Sequence, residues 1–135
     1  MGVCLFVASG LNFDVDRYLR SSPIKAMRVF RKGQVPPKDN PEHLPRPDSG
    51  FAVLVGDDQE SGITGQIGLA LQFLAGHEKE LDGLRQLGVD DMLFDFGIQV
   101  GNQVQHSEYL PPELIIGLAR FKMGVMFSAI RLPCG

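Results

Sequence analysis

A chain of 135 residues, 44% hydrophobic and 21% charged, has the length and composition of one globular domain that buries its core without staples. Its formal net charge of -3 weighs against nucleic acid, whose binders carry a basic face. No segment approaches the roughly 20 consecutive apolar residues that span a bilayer, so no membrane partner is expected either.

Residues 3–9 are an apolar run rich in β-formers and bounded by Gly10, which reads as the first strand. The run lacks the basic flank of a secretory signal, and Phe6 stands where a myristoylation site carries Ser or Thr. Cys4 and Cys134, at opposite ends, make no disulfide framework and read as reduced thiols in a cytoplasmic setting. A short helix begins next. Asp14 suits its N-cap, Phe13 can pack on Tyr18 as a hydrophobic staple, and Ser22-Pro23 stops it. Residues 24–31 read as strand two, leaving through Lys32-Gly33. Residues 34–49 hold Pro36, Pro37, Pro41, Pro45 and Pro47 and predict a long, extended loop within the domain.

Residues 51–55, closed by Gly56, are strand three, followed by the polar turn Asp57-Asp58-Gln59-Glu60-Ser61-Gly62. A long helix is predicted from Ile63, Ile67, Ala70, Leu71, Leu74, Leu81, Leu84 and Leu87, which recur at three- and four-residue steps. A break is expected near Gly76 and an end at Gly88. Gly65, Gly68, Gly76 and Gly83 each cost a helix up to ~1 kcal/mol against alanine, which predicts close backbone approach in return.

In residues 92–100 the apolar positions Met92, Phe94, Phe96, Ile98 and Val100 alternate with Leu93, Asp95, Gly97 and Gln99. Period two describes a strand with one buried and one open face, so helices are expected on one side of the sheet only. After a polar loop over 101–109, Leu110-Pro111-Pro112-Glu113 opens another helix, with Leu114, Ile115, Leu118 and Phe121 as its inner stripe. Lys122 falls in its last turn, Gly124 is the expected left-handed residue after it, and 125–132 form the last strand.

The order is β-α-β-β-α-β-α-β. It predicts an α+β fold: a five-stranded, mostly antiparallel sheet of ferredoxin-like character, with an added helix and strand. Residues 13–16 (Phe-Asp-Val-Asp), Arg31-Lys32-Gly33, Ser49-Gly50-Phe51, Gln66 with Phe73-Leu74, residues 93–96 (Leu-Phe-Asp-Phe) and residues 110–114 (Leu-Pro-Pro-Glu-Leu) carry a resemblance. Across nearly the whole chain, these positions resemble a widespread bacterial family of small proteins carrying a domain of unknown function. Its last strand tends to end in tyrosine, where this chain has Ile130-Arg131. The resemblance implies the architecture and a bacterial cytoplasmic setting, and no catalytic residues.

Several constellations are candidates for function. Asp57, Asp58 and Glu60 could hold a hard cation, but lack the alternation, glycine and distal Glu of a calcium loop, and acids also suit the start of the following helix. No metal site or cofactor is expected. His77 beside Glu78 could be an acid–base group or a hydrogen-bonded structural histidine. His43 and His106 match no metal spacing, and His106-Ser107-Glu108 are too close in sequence to converge as a triad. The basic cluster Arg17, Arg20, Lys25, Arg28, Arg31 and Lys32 either meets an acidic partner or protects an edge strand. Asp95, Gly97 and Gln99 mark the open face of their strand as the expected interaction surface. The expected function is a non-enzymatic protein-interaction domain, toxin-neutralising or regulatory, with self-association as one form of contact. The alternative is a small-ligand binder or weak enzyme on the same face. A concave polar pocket would favour the ligand and a flat apolar patch would favour a protein.

Overall fold

The structure, a computed structural model, describes residues 3–35, 44–57, 62–100 and 107–131, without the side chains of Asp57, Gln99, Val100, Ile130 and Arg131. The elements are β1 (Val3–Gly10), α1 (Val15–Ser21), β2 (Arg28–Phe30), β3 (Ser49–Asp57), α2 (Gly62–Gly76), α3 (Glu78–Gln86), β4 (Asp91–Val100), α4 (Pro112–Arg120) and β5 (Gly124–Arg131). The strands lie in one sheet in the order β2-β3-β1-β4-β5. All neighbours are antiparallel except β4 and β5. The first four strands therefore make the split β-α-β arrangement of a ferredoxin-like sheet, and α4 and β5 extend it by one parallel crossover. This is the α+β architecture expected.

Alternation decides where the core lies. Cys4, Phe6 and Ala8 of β1, Phe51 and Val53 of β3, and Met92, Phe94 and Phe96 of β4 are buried in one cluster with residues of all the helices. Phe6 is its hub, within 6.2 Å ring to ring of Phe51, Phe73 and Phe94. Asp14 caps α1 by accepting from the Arg17 N–H, while Phe13 and Tyr18 pack with centroids 5.9 Å apart, as the staple predicts.

Three local expectations are corrected. The second strand is three residues long rather than eight: Ile24 turns inward to the core, held by its N–H donating to Ser22 Oγ. The long helix divides at His77, next to Gly76 as expected, but three of its glycines bring no backbone close. A Cβ placed on Gly68, Gly76 or Gly83 would meet open space. Close approach occurs elsewhere: a Cβ on Gly56 would collide with the Leu69 side chain, so this strand glycine lets α2 settle on the sheet. Finally, α4 ends at Arg120, and Lys122, not Gly124, takes the left-handed position with φ 55°. The Met123 N–H then reaches Leu118 O, closing the helix in a Schellman-type turn. Gly88 does the same for α3, with φ +104° and the Val89 N–H on Leu84 O.

Candidate functional site

The face of the sheet away from the helices can be read row by row from the strand register. Arg28, Ala52, Val7 and Leu93 form one row across β2, β3, β1 and β4. Leu54, Leu5, Asp95 and Met126 form the next, across β3, β1, β4 and β5. Side chains in register share a face. Because Phe6, Val53 and Phe94 point into the core, these two rows point the other way.

Burial differs sharply between the faces. The core positions are nearly all inaccessible, whereas on the open face Leu54 is 47% and Met126 49% exposed and Leu5, Val7 and Leu93 are only partly covered, with the small Ala52 alone of these rows' apolar residues shielded by its neighbours. At one end Phe30 folds over Gly50 and is covered by the Arg46 guanidinium, 3.9 Å from its ring centroid. The rest of the face is a broad apolar surface with charge at its margins.

The polar residues on it are few. Asp95 is half-buried, and the Ser128 hydroxyl lies 2.7 and 2.9 Å from its two carboxylate oxygens. One hydroxyl proton serves one oxygen at a time, so the carboxylate keeps acceptor capacity facing outward. Asp91, exposed, lies four residues away on the same side of β4. Arg28 is exposed at the opposite flank, with no hydrogen bond or ion pair among the described residues. Cys4 lies on the far side of the sheet. Burial, helped by the Asp95 charge, pushes its thiol up to about 12, so it is no nucleophile.

The sequence-selected residues therefore scatter. Asp95 and Arg28 do share the open face, on separate strands. Gly97 is buried rather than open to approach, and its carbonyl accepts from the Nε2 of the buried Gln66, which pins α2 to β4. Arg31 is turned to Asp16, 2.7 Å away, and holds that carboxyl below its ordinary value through the hydrogen bond and charge. His77 stacks on Phe73 at 4.4 Å with Nδ1 3.0 Å from Phe73 O, a structural setting at the joint between α2 and α3. The Asp58 and Glu60 positions, and the side chains of Asp57 and Gln99, lie outside the described residues, as do His43, His106 and Cys134. Among the described residues no three His, Cys, Asp or Glu side chains gather as a metal site, and no helix is long and apolar enough to cross a membrane.

Sequence reading missed the apolar members of the open face: Leu5, Val7, Leu54 and Met126. A signal was present. Residues 3–8 and 51–55 are continuously apolar, the pattern of strands covered on both sides. Only one of those sides is covered here.

A groove of about 520 Å³ lies on the helical side, between α3 and the end of α4, and its lining includes Asp82, Arg85, Arg120 and Lys122. Its cations are largely committed. Arg85 donates to the carbonyls of Asp90, Phe121 and Lys122, closing the exposed end of α4, and Arg120 pairs with Glu78 at 2.7 Å. The ends of two helices also present carbonyls there, which favours cations and repels anions. The groove is thus a capped junction between helices.

Comparison with known protein families, with curated proteins and with solved structures gave no match to this chain.

Proposed function

We propose that this chain is a protein-interaction domain whose recognition surface is the open face of its sheet, acting in a neutralising or regulatory role by covering another surface. One observation carries this reading. The central strands β1 and β3 are apolar on both sides, and the helices cover only one. Leaving Leu54 and Met126 half-exposed and Leu5, Val7 and Leu93 only partly covered forgoes roughly 25 cal/mol for each Å² of apolar surface still in water, a driving force that a partner recovers. The face is largely apolar, with Asp95 set within it and Arg28 and Asp91 near its margins, a composition that suits a protein contact. The resemblance to the small bacterial family supports the same setting, a bacterial cytoplasm.

The test is capture by the purified chain in extract of its native cell, compared with Leu54→Asp and Met126→Asp. Both side chains are half-exposed, so the substitutions leave the core intact. Specific capture is expected to be lost in both variants at physiological salt. Capture that both variants retain would place recognition elsewhere, and the reading would fail. Thermal shifts against a metabolite library address the ligand alternative, since a ligand at 100 times its Kd adds about 2.7 kcal/mol.

A further inference from the structure

Resting on that reading, the geometry points to a second copy of this chain as the occupant of the open face, packed sheet to sheet about a two-fold axis. The argument is charge complementarity of the face with itself. Arg28 on β2 lies in the same row as Leu93 on β4, three strands away. Leu93 is flanked on its own strand by Asp91 and Asp95, both on the open side. Arg28 and Asp91 have no partner among the described residues, and Asp95 has one shared hydroxyl.

Consider a two-fold axis along the strands, midway between β3 and β1. It exchanges β3 with β1 and β2 with β4 between the copies and preserves each row. Arg28 of each copy then lands over Leu93 of the other, between the two carboxylates. Leu54 meets Leu5 on either side of the axis, so the exposed apolar part of the face closes on itself. Aligned sheets pack about 10 Å apart with strands within about 30° of each other, a gap that an arginine side chain spans. A contact of this kind is isologous: each copy supplies the same cation and the same pair of anions. A different protein would need to bring that pattern; a second copy already carries it.

The test is sedimentation equilibrium of the purified full chain over a wide concentration range, with circular dichroism to check folding. The expected result is a species of twice the 14.8 kDa chain mass. Arg28→Asp and Asp91→Arg are each expected to raise the dimer Kd by about tenfold or more, since each sets like charges against one another twice. An equal mixture of the two variants is expected to recover near-native affinity. In the mixed dimer both contacts again join opposite charges. Leu54→Asp removes the dimer without touching either charge.

A wild-type chain that stays monomeric overturns the inference. So does a dimer indifferent to Leu54→Asp, or one that the variant mixture does not restore; contact through the β5 edge would behave in that way. A monomer that still captures another protein in a Leu54-dependent manner overturns the second copy and leaves the interaction reading standing.

Discussion

Glycine divides into two kinds in this chain, and the distinction makes opposite predictions. At Gly83, exposed space surrounds the missing Cβ, so Gly83→Ala is expected to raise stability by up to about 1 kcal/mol through helix propensity alone. At Gly56 the same substitution drives a methyl into Leu69, and denaturant unfolding should show a loss of about 1–3 kcal/mol. Both outcomes can be read from one pair of urea titrations. Cys4 gives a pH prediction. Its folded value of about 12 stands above the ordinary 9.0, so the unfolded chain ionises first. Stability from this group is intact below pH 9 and falls as pH rises toward 12, by at most about 1.4 kcal/mol per pH unit. Cys4→Ala should remove that part of the slope, and the native thiol should resist aromatic disulfide reagents until the protein unfolds. The sequence signalled the cost of the helix glycines but not where close approach occurs, because backbone separation is a tertiary quantity. Gly56 read only as the end of a strand.

Among the elements, helix termini were the most legible. Asp14 and Phe13 identify the start of α1, and Gly88 the end of α3, because capping chemistry is local and leaves its mark within a few residues. The end of α4 was misplaced for an instructive reason. Gly124 belongs to β5, and Lys122 is held left-handed by the turn that the Leu118 and Ala119 carbonyls complete. Lys122→Gly relieves that backbone and should raise the midpoint of thermal unfolding, corresponding to about 1 kcal/mol. Arg85→Met should do the reverse by about 1–3 kcal/mol, because it leaves the Phe121 and Lys122 carbonyls without their charged donor. Strand limits were less legible. The first residues of the expected second strand stay out of the sheet because the chain from Ser22 first sends Ile24 into the core, and only Arg28–Phe30 align with β3.

For the molecule as a whole, strand order was not written in any one segment, yet it decides which face stays open and what lies on it. β4, read alone, showed a polar outward side at Asp95. The rows across β3, β1, β4 and β5 show that Asp95 is a charge within a largely apolar surface. The unbroken apolar runs of β1 and β3, covered by helices on one side only, make the open face largely apolar. The same order has a consequence in time. β1 sits at the middle of the sheet, and both its neighbours, β3 and β4, come from later in the chain. As the polypeptide leaves the ribosome, β1 waits through some eighty residues for β4 to reach it, one of its edges unpaired even after β3 has emerged. Pairings of such sequence separation belong to slow folding, in milliseconds to seconds rather than microseconds. The middle of the sheet is closed only once β4 has been made, so the nascent chain is open to aggregation until then.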